Sequence, residues 1–206
     1  MKHTLLYIYL LVLIVGCKSF SKNGISELDE LPIQKINSVN FDTILFAKSF
    51  DYPVGKPDAK GYYNAQKFGE NDHLGDDWNG LGGGDSDLGD PIFAVANGYV
   101  SFAKNIQSGW GNIVRVTHYI DEYHQLESFY AHCDSILVKK GDPVLKGQQI
   151  ATIGNNDGQY LAHLHFEMRS DLSVPIGGGY SGNYNGFINP SLFIKRNRTI
   201  AKTFEF

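Results

Sequence analysis

The chain of 206 residues contains only two cysteines, two methionines and two tryptophans, and it has no excess of positive charge. Its formal net charge of −4 argues against a nucleic-acid binder, which needs a basic face. The apolar run at its N-terminus, Leu5 to Val15, is too short to cross a membrane. Its 11 residues would rise about 16 Å as a helix, against a hydrocarbon core of about 30 Å. Long amphipathic helical patterns are missing as well. So is His-Glu-x-x-His, the helical zinc motif that carries its own glutamate base.

What the chain does have favours strands and turns. Thirteen Phe, 12 Tyr and 23 Gly lean the composition toward β structure. Gly98–Lys104, Asn112–Tyr119, Gln125–His132, Gln148–Ile153 and His163–Arg169 are short, rich in β-branched and aromatic residues, and bounded by Gly, Asn, Asp or Pro. An all-β, mainly antiparallel fold is expected. Gly89-Asp90-Pro91-Ile92 is echoed by Gly141-Asp142-Pro143-Val144, and each is followed by a Gly and an apolar strand. Two copies are too few for a solenoid but suit a duplicated β motif closing into a sandwich or barrel. Packed structure should begin between Phe41 and Phe50. Residues 176–189 read as a long loop, a last strand should follow Pro190, and a tail should begin near Arg196.

The N-terminal run has a basic start, Lys2-His3, and ends in Ile14-Val15-Gly16-Cys17. A small residue before a lone Cys resembles the lipobox of bacterial lipoproteins. That resemblance implies a signal peptide over residues 1–16, a lipid on Cys17 and a membrane-anchored domain outside the cytoplasm, in the cell envelope. Loss of Lys2 with the signal leaves 17 basic and 22 acidic residues, a net charge of −5. The polar stretch over residues 17–45 reads as a tether. Cys133 is then the only free thiol, so no intramolecular disulfide can form, and it reads as a small buried hydrophobe.

Four of the seven histidines sit in informative contexts. His73 and Asp77 are four residues apart, but Gly75 and Gly80 disfavour a helix. A tight loop that turns both side chains to one point is the expectation. In His163-Leu164-His165-Phe166-Glu167-Met168-Arg169, the apolar residues alternate and should face the core. His163 and His165 then stand side by side on the other face. Paired imidazoles are a common way to build a metal site, and a structural pair of buried histidines fits the same pattern. His132 ends a further strand, in Phe129-Tyr130-Ala131-His132. Taken together, His73, Asp77 and one of the paired histidines can supply three protein ligands with a fourth position open, as in catalytic zinc sites.

These motifs and their order resemble the lysostaphin- and LytM-type zinc endopeptidases that act on peptidoglycan. The resemblance runs through His73-x-Gly75-x-Asp77, the first Gly-Asp-Pro turn with Gly98-x-Val100, and Gly111-Asn112 with the strand ending in His118. It continues through Tyr130-Ala131-His132, the second Gly-Asp-Pro turn with Lys146-Gly147-Gln148, and His163-Leu164-His165-Phe166-Glu167. It implies Zn²⁺ on His73, Asp77 and His165, catalytic roles for His132 and His163, and a peptidase domain over residues 46–196 with a tail over 197–206. Its substrate would be the peptide cross-links of peptidoglycan, and nothing in it specifies an oligomeric state. The chain departs from the family's pattern in three places. Residues 80–88 form a longer Gly- and Asp-rich segment, Ala162 stands where Pro is usual, and Cys133 stands where Leu is common. The long segment reads as a rim loop, ahead of a second cation site built from Asp85, Asp87 and Asp90, because no EF-hand spacing is present.

Two other functions compete with the peptidase. A non-enzymatic activator of wall hydrolases could use the same fold, but all five site residues are present here. A biotinyl- or lipoyl-carrier module is suggested by residues 141–150, but the turn Gly154-Asn155-Asn156-Asp157-Gly158 lacks the lysine it needs.

Overall fold

The structure is a computed structural model, and it describes residues 45–198. The proposed signal segment, the lipidation position Cys17, the tether and the end of the tail lie outside these residues. Among the described residues ten strands are present, all paired antiparallel: β1 (Tyr62–Gln66), β2 (Asp76–Gly80), β3 (Pro91–Phe93), β4 (Gly98–Asn105), β5 (Asn112–Tyr119), β6 (Gln125–Ile136), β7 (Pro143–Val144), β8 (Gln149–Ile153), β9 (Leu164–Arg169) and β10 (Phe187–Ile188). One helix, α1 (Pro190–Asn197), follows. The main sheet runs β1-β2-β9-β6-β5-β4-β7, with β10 beside β9, and β8 joins β6 to β3.

The duplicated turns explain this pairing. The two copies exchange strands, so that β3 pairs with β8 and β4 pairs with β7. Each Gly-Asp turn also caps a strand of the other copy in the same way. Gly89 N–H donates to the Ile153 carbonyl and Asp90 C=O accepts from Ile153 N–H, both at 2.8 Å. Gly141 N–H donates to Val100 at 2.8 Å, and Asp142 C=O accepts from Val100 N–H at 2.9 Å. Both turn glycines have positive φ, +84° and +94°, where a side chain would be strained.

Strand β6 is the spine. Residues 127–131 pair with β9, and Cys133 and Ile136 pair with β8. Leu126 through Cys133 are all buried, so this stretch has no solvent face, and only the end of the strand at Asp134 and Ser135 is exposed. One face of β6 and β9 carries Tyr130 and Phe166, in register and 5.2 Å apart between rings. The other face carries Phe129, Ala131, His165, Glu167 and Arg169, and Trp110 and Ile176 pack over part of it. Leu164, Phe166 and Met168 face the core as the alternation implied, and the polar residues between them are buried as well, so every residue of β9 is buried.

Two sequence expectations need correction. The segment after Pro190 is a helix, not a strand. Asn189 accepts a hydrogen bond from Leu192 N at 2.9 Å, Pro190 opens the first turn, and Lys195 and Arg196 sit in the last turn. Pro190, Phe193 and Ile194 are buried, with Phe193 edge-on to Phe50 at 4.9 Å. This is helical spacing, which the contiguous Leu192-Phe193-Ile194 disguised as a strand. Asp77 also does not lie in a tight loop. It is the second residue of β2 and pairs directly with His165.

Candidate functional site

His73 precedes β2, in an extended conformation after the turn Glu70–Asp72, and bridges to Tyr180. Gly75 lets the segment from His73 to Asp77 wrap closely over β9. A Cβ there would lie 2.5 Å from the Phe166 carbonyl and 3.1 Å from His165 Cε1. Three donors meet as a result. His73 Nε2 is 3.0 Å from His165 Nδ1, His165 Nδ1 is 2.9 Å from Asp77 Oδ1, and His73 Nε2 is 3.3 Å from Asp77 Oδ1. Donors about 2.0–2.1 Å from a tetrahedral zinc lie roughly 3.3 Å apart, so this triangle need open only slightly to take the ion. Among the described residues no other group of His, Cys, Asp and Glu converges in this way.

The donor chemistry also fits. His165 Nε2 faces Glu167 Oε1 at 3.0 Å, and the other Glu167 oxygen accepts from Arg169 Nε and Nη2 at 2.7 and 2.6 Å. A proton held on Nε2 leaves the Nδ1 lone pair pointing at His73 and Asp77, the orientation a metal-ligating histidine needs. In the metal-free state the cluster is ionic. Burial alone would raise the Asp77 pKa, but hydrogen bonds and charge from His165 and His73 hold it well below the carboxylate range. Burial likewise opposes charge on His165, yet hydrogen bonds to Asp77 and Glu167, with their charges, lift it to about 9. Metal entry would therefore displace a proton from His165.

His132 and His163 stand beside this triangle, with ring centroids 4.7 Å apart. His132 occupies the point where β6 changes partner from β9 to β8, and its φ of +57° is left-handed. Residues 131 and 132 bulge opposite Ile113, and His132 N–H donates to the Trp110 carbonyl at 3.0 Å. Strain of this kind in a non-glycine residue persists only where the surroundings enforce it, and it concentrates at functional sites. The His132 ring lies against Trp110 at 5.6 Å. Burial, then the neighbouring His163 and His165, push its pKa down to about 3, so it is neutral at neutral pH. His163 Nδ1 bonds the Leu161 carbonyl at 2.8 Å.

Asp77, His132, His163 and His165 open into one cleft of about 390 Å³, walled by Ser108-Gly109-Trp110, Tyr160, Gly177-Gly178 and Tyr180. The structure thus brings together all five residues singled out in the sequence. It adds Trp110, Tyr160 and Tyr180, which lie on loops with no periodic signal, and Glu167 and Arg169, whose alternation with Leu164, Phe166 and Met168 was visible. Asp85, Asp87 and Asp90 do not converge. They accept separately from Ala162 N–H (2.7 Å), Gly80 N–H (2.7 Å) and Tyr62 O–H (2.5 Å). His118 is buried between the Asn97 carbonyl at 2.9 Å and Ser128 Oγ at 2.7 Å, away from the cleft. Cys133 is buried as a small side chain, as expected.

Residues 82–176 match peptidase family M23. Lipoprotein NlpD of Yersinia enterocolitica is 44% identical over 81 residues, which are 39% of this chain and 78% of that relative. The chain belongs to peptidase family M23. The family match begins after His73 and Asp77, so these two are brought to the site histidines within it, His132, His163 and His165, by the β2–β9 pairing. Murein hydrolase activator NlpD of Escherichia coli is 42% identical over 81 residues, and there the match spans only 20% of the relative's length. The chain spans 36% and 30% of the next relatives, from Buchnera aphidicola and Escherichia coli. Among solved structures, that of CbpA from L. salivarius REN superposes with a TM-score of 0.53 at 25% identity, over 72% of this chain and 96% of that one. The solution structure of lysostaphin gives 0.50 at 22% identity, over 66% and 51%, and shares the fold.

Proposed function

We propose that the protein is a zinc-dependent endopeptidase that hydrolyses peptide cross-links of bacterial peptidoglycan. The observation that carries this reading is the closed donor triangle of His73, Asp77 and His165, which shares one cleft with the His132–His163 pair. Zinc held by the triangle would polarise the scissile carbonyl and an attacking water. The protein's own groups supply the rest. With Nδ1–H donated to the Leu161 carbonyl, His163 has Nε2 left to take a proton from the attacking water. His132, kept neutral by burial, stands beside it to hold the developing oxyanion, and the proton taken up by His163 would pass to the leaving amine. The products are a carboxylate and an amine, and water is the only co-reactant. Walls of Gly109, Gly177 and Gly178 leave room for an extended peptide backbone, and Trp110, Tyr160 and Tyr180 offer flat faces.

Relatives named as lipoproteins support anchoring of this chain in the cell envelope through Cys17. A second reading, activation of separate wall hydrolases, draws on the name of the Escherichia coli relative. Purified zinc-loaded protein incubated with defined peptidoglycans, with fragments identified by mass, separates the two. The peptidase reading expects new peptide ends, a loss of zinc in His73→Ala, Asp77→Ala and His165→Ala, and a cleavage loss on the order of 10²–10⁴-fold with zinc retained in His132→Ala and His163→Ala. If no wall type yields new ends, the peptidase reading is wrong. Stimulation of a partner hydrolase by both histidine variants at wild-type level would favour the activator.

A further inference from the structure

We propose that Asp85, on the long segment between β2 and β3, is a positioning residue for His163 and acts through a single peptide group. The peptide that joins Leu161 to Ala162 is bonded on both sides. Its N–H, from Ala162, donates to Asp85 Oδ1 at 2.7 Å, and its C=O, from Leu161, accepts from His163 Nδ1 at 2.8 Å. The two groups of a trans peptide point in opposite directions, so one carboxylate can brace the plane from behind while the imidazole hangs from its front. A short, charge-assisted bond to the N–H also polarises the amide and makes its carbonyl a stronger acceptor. The following peptide is fixed too, because the Ala162 carbonyl accepts from Asn79 Nδ2 at 3.1 Å.

The location gives this brace a purpose. Tyr160 and Leu161 are 43% and 62% exposed, so the chain arrives at the site from an open loop. Ala162 is the first fully buried residue, and β9 begins only at Leu164. His163 otherwise has one backbone bond, His163 N–H to the Gly154 carbonyl at 3.2 Å. Asp85 itself is held by its neighbours, since Asp87 and Asp90 are tied to Gly80 and Tyr62. Two departures in the sequence therefore belong together. Ala at position 162 supplies an N–H that Pro would lack, and the longer segment supplies the carboxylate that accepts it.

The claim that this brace serves proton transfer rests on the peptidase reading, but the brace can be measured without it. In ¹⁵N-labelled zinc-free protein, Asp85→Ala should speed exchange of the Ala162 amide by tenfold or more and shift the His163 ring nitrogens away from the Nδ1–H tautomer. Asp85→Asn, which keeps an acceptor oxygen, should restore both. With zinc bound, Asp85→Ala should lower kcat on the order of tenfold with KM and zinc content near wild type. Ala162→Pro should make the site indifferent to Asp85, so that Ala162→Pro with and without Asp85→Ala behave alike. Unchanged amide exchange and ring shifts in Asp85→Ala overturn the proposal, as does a changed ring with unchanged kcat. If the ring responds as expected but wild type cleaves no wall preparation, the peptidase reading fails and the brace stands.

Discussion

Replacing Arg169 tests whether the candidate metal site is oriented from behind by a buried ion pair. The guanidinium is fully buried, with Nε and Nη2 on Glu167 and its other hydrogens on the carbonyls of Val174, Pro175 and Ile176 at 3.2–3.4 Å. It also lies 4.6 Å from the centre of the Phe129 ring. Arg169→Leu would leave the Glu167 carboxylate buried with only the His165 N–H, and would release the carbonyls that lead into the cleft wall at Gly177. Breaking a buried pair from one side costs about 3–5 kcal/mol. At roughly 2–4 °C per kcal/mol for a domain of this size, Tm should fall by about 6–20 °C. Arg169→Lys should fall between, because an ammonium cannot reproduce the planar fork. Thermal and urea unfolding of the zinc-free protein, followed by far-UV circular dichroism, reads the effect. The double variant Glu167→Leu/Arg169→Leu should be less destabilised than the sum of the singles, since no charge is then stranded. A single Arg169→Leu variant within 1 kcal/mol of wild type would refute the reasoning.

His118 predicts acid lability away from the cleft. Burial, opposed by its hydrogen bond to the Asn97 carbonyl, depresses its pKa to about 4. Its stabilising contribution is therefore complete above pH 6.5 and is lost as pH falls from there toward 4, a loss of roughly 3 kcal/mol. His118→Phe should flatten that part of the stability-versus-pH curve measured in urea, and an unchanged slope would rule His118 out. Cys133 should be inert: burial pushes its thiol up to about 12. Ellman's reagent at pH 8 should titrate it only in the unfolded chain, and rapid reaction with native protein would contradict its burial.

Sequence patterning located the central strands well because each buries a regular alternation or a continuous apolar run. Asn112–Tyr119 was found residue for residue. The flanking strands were hidden. Asp76–Gly80 is built mostly of Asp, Asn and Gly, and it is a strand because β9 offers an edge to pair with, not because its residues favour it; Tyr62–Gln66 is short and pairs in turn with β2. His132 could be suspected from its place after an apolar run, but its left-handed backbone depends on a bulge against β5 that no local signal marks. Glu167 was legible as part of an alternating strand. Its role was not, because the face it shares with His165 is covered by Trp110, which is distant in sequence.

The exchange of strands between the two Gly-Asp-Pro copies also bears on how the protein comes to exist. Neither copy can complete its own ladder, and β2 reaches His165 only by pairing with the last long strand of the sheet. Contacts of such long range form late, because chain entropy must be given up before they return anything. The donor triangle is therefore assembled by the same event that closes the sheet. Until β9 has been made and has paired with β2, the chain has no place where His73, Asp77 and His165 could together hold a metal.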